Sequence, residues 1–394
     1  MDLGTSPPSN SFLKKDQLQE SELYYPLRIW VCSKCWLVQT EDYAKREEFF
    51  SPDYAYHSSY SKTCLIHSEE YVTKMDSRLK LGPESFVVEI ASNDGYLLQF
   101  VQGRGIPCLG IEPTRSTALV SKQKGIPTFC EFFGTDLALN LVKQKKQADL
   151  MVANNVLAHV PDMNDFLSGF ALLLKNNGVA TLEFPHLLKL IEKVQFDTIY
   201  HEHYSYLSLI FLQKIFMANG LEIFDVEELV THGGSLRVFA QRIDSGKHPV
   251  AKSVERLLKI EKQSGLNKEG LYMGFQSRID NSKDRLLKLL LKLKSEKNKI
   301  IGYGAAAKGN TFLNYAGIRS DLILLVVDKN PQKQNKFLPG SRIPVSDESA
   351  IHELKPEYVI ILPWNLKHEI SEQLSYIRDW GGKFIVAIPD LVIF

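Results

Sequence analysis

Cysteine is scarce in this 394-residue chain and odd in number: Cys32, Cys35, Cys64, Cys108 and Cys130. Five thiols so distributed make no disulfide framework and point to a reducing compartment. An excess of charge is missing too. With 47 basic against 46 acidic residues, no basic field recommends nucleic acid as a partner. No apolar run reaches the length of a membrane span. The opening MDLGTSPPSNSF has neither the basic nor the apolar region of a signal peptide. The expectation is therefore a cytoplasmic enzyme without a membrane or nucleic-acid partner. The chain is too long for one ordinary core, so two or three domains are expected.

Cys32-Ser33-Lys34-Cys35 is a CxxC knuckle. Structural zinc takes about four ligands, and such knuckles normally come in pairs. No second CxxC exists here; His57, Cys64 and His67 are the residues available to complete a site. Tyr54, Tyr56 and their neighbours form a hydroxyl-rich stretch suited to a loop or to a polar wall over a pocket.

Phe86 to Ile90 is a short apolar strand, followed by Ala91-Ser92-Asn93-Asp94-Gly95 and a helical segment. Strand, tight polar turn and helix make the nucleotide-binding unit of doubly wound sheets. The turn keeps only one glycine of GxGxxG, which disfavours a dinucleotide pyrophosphate. A second strand ends at Glu112, placed to accept ribose hydroxyls. Strands near Thr128, Ala148 and Gly178 continue the alternation, with Asn155 and His159 beyond the fourth. Val226–Thr231 and Leu236–Ala240 read as a hairpin around His232-Gly233-Gly234-Ser235. Lysine-rich amphipathic helices follow, their charge run read as a solvated face. From Lys299 a second α/β pattern begins, with Gly302, Gly304, Ala307 and Asp328 spaced as a degenerate dinucleotide fingerprint.

Tyr200-His201-Glu202-His203-Tyr204 collects proton-handling side chains in five positions. Histidine has the side-chain pKa closest to neutrality, so this is equipment for proton abstraction. It is not an HExxH zinc helix, because Ser205 stands where the second ligand belongs. On a strand, His201 and His203 would share a face and Glu202 would point away. A pocket using Glu202 requires a turn instead.

In their joint order, SPPSN, YYPLRIWVCSKCWLVQ, DYAYHSSYS, VEIASNDGYLL, GIEPT, DTIYHEHYSYLSL, THGGSLRVFAQ, GYGAAAKGNTFLNY and ILPWN resemble one family across nearly the whole chain. It is the S-adenosylmethionine-dependent sugar C-methyltransferases, which methylate C3 of nucleotide-linked 4-keto-deoxysugars. The resemblance implies an α/β fold. A zinc-binding-like region would span 1–75 and a class I methyltransferase doubly wound sheet 76–245. A helical linker would span 246–297 and a Rossmann-like domain 298–394. Ala91, Asn93, Asp94, Gly95, Glu112 and Asn155 would hold S-adenosylmethionine. Tyr54, Tyr56 and His201 would line the sugar pocket with His159, Tyr200, Glu202 and His203. His203, the second histidine of YHEH, would be the base, and Tyr200 or His159 would meet the enolate oxygen. Cys32 and Cys35 are the metal candidates, and with one pair substoichiometric zinc is expected. The partner would be a nucleotide-linked keto-deoxysugar; oligomeric state leaves no mark in the sequence. Two other readings are open: an NAD-dependent nucleotide-sugar oxidoreductase or epimerase using Gly302 to Asp328, and a non-enzymatic zinc-knuckle module.

Overall fold

The computed structural model describes residues 1–43 and 57–394. Tyr54 and Tyr56 lie outside the described residues. Three sheets organise the chain. The first is antiparallel and holds β1 (Asp2–Ser6), β2 (Tyr25–Val31), β3 (Val38–Thr40) and, from far along the chain, β9 (Ser205–Tyr206). Through β9 the segment that follows YHEH is a strand of the N-terminal sheet, Val38 opposite Tyr206 and Gln39 opposite Ser205.

The second sheet has seven strands. They are β4 (Val87–Ile90), β5 (Cys108–Ile111), β6 (Thr128–Phe129), β7 (Ala148–Asn154), β8 (Leu174–Pro185), β10 (Leu221–Leu229) and β11 (Ser235–Arg242). Their spatial order is β10-β11-β8-β7-β4-β5-β6. β8, β7, β4, β5 and β6 run parallel, and β11 is inserted antiparallel between β8 and β10. β4 and β5 are buried along their whole length, as strands covered by helices on both faces must be. Chain order reverses between β4 and β7. The crevice beyond their C-terminal ends is therefore the ligand site of such a sheet.

Helix boundaries follow local chemistry. Ser61 caps the helix Lys62–Leu79 by accepting the Cys64 N–H, and Asp162 caps Met163–Leu173 by accepting from Asn164 and Asp165. The third sheet is β14-β13-β12-β15-β16-β17, built from β12 (Ile300–Tyr303), β13 (Val326–Val327), β14 (Val345–Ser346), β15 (Tyr358–Ile361), β16 (Lys383–Val386) and β17 (Val392–Ile393). All its pairs are parallel except β16 with β17, so it too is doubly wound. β13 is short because Leu322 and Ile323 bond back to the Arg319 carbonyl in a turn just before it.

The lysine-rich stretch divides between the two large cores. The helix Lys252–Gln263 buries Val254 and Leu257 with the seven-stranded sheet, and Phe275–Ser295 buries Leu286, Leu290 and Leu293 with the six-stranded one. One acid of the run is not solvated. Glu261 is buried and accepts the N–H groups of Leu209 and Ile210 and a bond from His186. The six-stranded sheet shares a continuous apolar core with Leu3, Leu27 and Val38 of the N-terminal sheet and with Leu187 to Ile199. That core fixes the YHEH turn against two neighbours.

Candidate active site

Beyond β4 the backbone takes three left-handed residues, Ala91 (φ 54°), Asn93 (φ 50°) and Gly95 (φ 77°). At Gly95 a Cβ would lie 2.4 Å from Ile126 Cδ1, so only glycine fits. The turn is held by Glu112, whose carboxylate accepts the N–H of Asn93 (2.9 Å) and of Thr114 (2.8 Å). Burial raises the Glu112 pKa against these bonds. Two backbone bonds leave a carboxylate with unused lone pairs, so Glu112 can still accept a ribose. Beyond β7, Asn155 is also left-handed (φ 57°), and its N–H reaches the Glu183 carbonyl at 2.6 Å.

The crevice between these turns is rich in acceptors without donors. Asp94 Oδ1, Asn154 Oδ1 and Asn155 Oδ1 are buried and make no hydrogen bond among the described residues. The buried Glu89 carboxylate, approached by the Tyr96 hydroxyl, is pushed well above its ordinary pKa by burial. Buried polar groups without partners are costly. This set fits a ligand carrying a sulfonium, an ammonium and ribose hydroxyls, and it would repel a pyrophosphate. S-adenosylmethionine is such a ligand. Ala91, Asn93, Asp94, Gly95, Glu112 and Asn155 come together here, with Glu89 and Asn154 in addition.

YHEH forms a turn, not a strand: the His203 N–H bonds to the Tyr200 carbonyl at 2.9 Å. The ring centroids of Tyr200 and His203 lie 4.0 Å apart with the planes tilted by 32°, and the His159 ring meets His203 edge-on at 4.5 Å. His203 Nδ1 lies 2.8 Å from the Thr198 carbonyl. A carbonyl only accepts, so Nδ1 carries the proton and Nε2 keeps the lone pair. By the same logic His159 donates from Nδ1 to the Glu202 carbonyl at 2.8 Å. Burial lowers His203 well below the usual imidazole range, helped by the charge on His159; burial likewise takes His159 to about 4. Glu202 orients the His159 ring through its carbonyl. Its carboxylate accepts from Asn10 Nδ2 at 2.6 Å.

His201 donates from Nε2 to the carbonyls of Tyr25 and Pro26 (3.3 and 3.2 Å), edge-on to the Tyr25 ring, and so anchors YHEH to the N-terminal sheet; its buried Nδ1 makes no hydrogen bond among the described residues. The C-terminal unit closes the other side: Thr311 donates to the Ile199 carbonyl, Trp364 Nε1 to Asp197 at 2.7 Å, and Asn310 to the Ser9 carbonyl.

Behind β8 lies an ion network that spacing alone does not suggest. Buried Glu183 accepts from Arg237 (2.6 Å), from Thr231 (2.9 Å) and from His67 Nε2 (2.9 and 3.0 Å). Burial alone would raise its pKa; the His67 bonds and the Arg237 charge outweigh that and bring it to about 2.

The glycine turn of the six-stranded sheet has a different use. At Gly304 (φ 85°) a Cβ would lie 2.5 Å from Pro363, so the glycine serves packing. Asp328 accepts the N–H of Ala305 and of Asn330, both at 2.8 Å. Lys333 stands 3.7 Å from that carboxylate and donates to the Ala305 carbonyl at 2.8 Å. A dinucleotide ribose would have to displace Lys333.

The metal candidates do not assemble a tetrahedral set. Cys32 and Cys35 hydrogen-bond to each other, and Cys35 lies near Lys214. Cys64 and His67 face Glu183, and His57 faces Asp94, all at the other sheet. Among the described residues no three His, Cys, Asp or Glu side chains gather to hold a metal. Elemental analysis of purified protein is expected to give clearly less than one zinc per chain. One tightly held zinc per chain would mean that a further ligand completes the pair.

Family models match three stretches. "C-methyltransferase C-terminal domain" covers residues 230–389, "Methyltransferase domain" 69–226 and "Putative zinc binding domain" 1–50. Among solved structures, an S-adenosylmethionine-dependent methyltransferase from Clostridium acetobutylicum shares 12% identity over 44% of this chain and 90% of its own, with a TM-score of 0.36. A methyltransferase from Thermotoga maritima shares 17% over 46% and 94%, with a TM-score of 0.35. C-methyltransferase NovU of Streptomyces niveus is 32% identical over 388 residues, 98% of this chain and 92% of the relative. With that full-length match, and with the sheet order and acceptor-rich crevice described above, this chain belongs to the family of S-adenosylmethionine-dependent C-methyltransferases.

Proposed function

We propose that the enzyme methylates C3 of a nucleotide-linked 4-keto-deoxysugar, with His203 as general base. The observation that carries this reading is the His203 imidazole, held by Thr198 so that its lone pair sits on Nε2 beside Tyr200 and His159. A hydrogen α to a ketone is acidic because the carbanion is an enolate. Removing it takes a neutral base and a donor for the oxygen. Bound S-adenosylmethionine supplies a methyl group on a sulfonium as the electrophile. Nε2 of His203 takes the α-proton. The Tyr200 hydroxyl is the donor for the enolate oxygen. His159 is not suited to that part, since its proton is committed to the Glu202 carbonyl; its Nε2 accepts a sugar hydroxyl. The Glu202 carboxylate, fixed by Asn10, lies in the turn where the imidazolium forms.

The alternative of a nicotinamide-dependent oxidoreductase is disfavoured by Lys333 at Asp328. Screening nucleotide-linked 4-keto-6-deoxysugars with labelled S-adenosylmethionine tests the proposal. Label should enter at C3 of at least one of them. Label entering none of them, or entering at a position other than C3, would refute it.

A pH dependence follows from the direction of the His203 shift. A base works unprotonated, and a depressed pKa keeps it so to lower pH. The acid limb of log kcat/KM should therefore fall below pH 6.5, the ordinary imidazole value, and activity should be flat through neutrality. An acid limb centred above that value would assign the base to another group.

A further inference from the structure

Cys32 and Cys35 lack the further ligands that a tetrahedral metal needs among the described residues, and their geometry suits another chemistry. They stand at the tip of the β2–β3 hairpin, just inside the pair Val31 and Val38. Cys32 donates its N–H to the Leu37 carbonyl and accepts the Trp36 N–H on its own carbonyl, both at 2.9 Å. The second bond closes a single α-type turn, which Trp36 leaves in the left-handed region (φ 68°). Residues three apart in such a turn are side-chain neighbours. Helical geometry puts their Cα atoms about 5 Å apart, within the roughly 4.4–6.8 Å that a disulfide bridges. The two thiols already hydrogen-bond to each other.

The two cysteines are not equivalent. Both are half-buried, but Cys35 packs on the apolar core of the seven-stranded sheet and Cys32 stands outside that core. The surroundings are cationic. Lys34 lies within the turn, and Lys214 of the helix Leu209–Ala218 donates to the Lys34 carbonyl at 3.1 Å. The Lys34 charge acts on Cys32 and the Lys214 charge on Cys35.

We infer that Cys32 and Cys35 form a redox-active dithiol, a site of thiol–disulfide exchange with low-molecular-weight disulfides that carry carboxylates. The inference is independent of the proposed function. Cys32, the outer thiol, attacks as thiolate one sulfur of the incoming disulfide. A mixed disulfide forms and one small thiolate leaves. Cys35 then attacks the Cys32 sulfur from the inner side, closing the intramolecular disulfide and releasing the second small thiolate. The protein gives up two electrons and two protons, and the small disulfide takes them up as two thiols. Lys34 and Lys214 favour an anionic reagent over a cationic one, an attraction between exposed charges that salt screens.

The test equilibrates the purified full chain, without oxygen, in mixtures of oxidised and reduced glutathione, followed by alkylation, digestion and mass spectrometry. The peptide holding Cys32 and Cys35 should lose two hydrogens and recover them with dithiothreitol. Exposed Cys130 serves as the single-thiol control and should form at most a mixed disulfide. Cys35→Ser should stop at a glutathione adduct on Cys32. Cys32→Ser should form no intramolecular disulfide and should react at Cys35 at least tenfold more slowly. S-adenosylmethionine should bind both variants as it binds the wild type, which shows that the fold survives. Oxidised glutathione should react several-fold faster than cystamine, a cationic disulfide, at low ionic strength, and added salt should narrow the gap. Cys32 and Cys35 that both stay free for alkylation in a mixture that modifies Cys130 would overturn the site. So would one zinc per chain released as the two thiols oxidise, which would assign the pair to a metal. Cystamine reacting as fast as oxidised glutathione would overturn the anionic reagent class.

Discussion

Replacing His203 by asparagine should lower kcat by about 10²–10⁴-fold, the usual cost of losing a general base. Asparagine is chosen because its amide can still donate to the Thr198 carbonyl, the bond that seats the ring at 2.8 Å. The turn, the His159–Glu202 bond and the cofactor crevice should then be preserved, and S-adenosylmethionine should bind as before. Exchange of the α-hydrogen isolates the step. With substrate in deuterium oxide and no methyl donor, the wild type should incorporate deuterium at the carbon next to the ketone, and His203→Asn should not. His159 is the other imidazole with its lone pair on Nε2. His159→Asn should slow methylation yet leave exchange measurable. If His203→Asn exchanges and methylates at the wild-type rate while His159→Asn does neither, the two roles are reversed.

The parts of this molecule that could be read from sequence are those where function is written in local pattern. β4 and β7 are short apolar runs ending in polar turns, and a doubly wound sheet places such turns at its crevice. Ala91, Asn93, Gly95 and Asn155 lie in those turns with left-handed backbones, and Glu112 ends the next strand. The YHEH segment was legible as chemistry and, through the requirement that Glu202 share the pocket, as a turn; the partners of its side chains were not. Alternation puts His201 beside His203 only on a strand; the bond from His203 N–H to the Tyr200 carbonyl makes a turn and sends His201 to β2. The group that orients His203 is a backbone carbonyl, which any residue at position 198 would present. Asn10 stood inside a recognisable motif, but its task depends on a contact with Glu202 across the chain. The Gly302–Gly304 turn looked like a dinucleotide cradle because glycine permits both close ligand approach and close packing; Pro363 shows which applies.

Least legible was the network at Glu183, whose members come from the helix Lys62–Leu79, β8, the turn after β10, and β11. Arg237 is the member whose loss should cost most. It is buried, lies 2.6 Å from Glu183 and packs its guanidinium 4.5 Å from the Tyr71 ring centroid. Arg237→Met fills similar space but leaves Glu183 as a buried carboxylate without its closest partner. Breaking a buried pair in this way costs about 3–5 kcal/mol. The pH dependence gives the cause. In the wild type the folded Glu183 pKa, about 2, lies below its ordinary value of 4.5. Its stabilisation is therefore complete above the unfolded pKa and is lost as pH falls toward the folded one. In Arg237→Met burial is opposed by less, so the folded pKa rises. The stability gap between wild type and variant should then be widest at neutral pH and should narrow on acidification, as the stranded carboxylate takes a proton. Urea unfolding at neutral pH and again near the unfolded carboxylate pKa measures both quantities. Adding Glu183→Gln to Arg237→Met removes the charge and should recover part of the loss, a coupling that a double-mutant cycle reads directly. Because the Glu183 carbonyl holds Asn155 and its carboxylate holds Thr231, the single variant should also bind S-adenosylmethionine more weakly. A gap that stays constant with pH, with no recovery in the double variant, would show that Arg237 acts through packing on Tyr71 and not through the charge of Glu183.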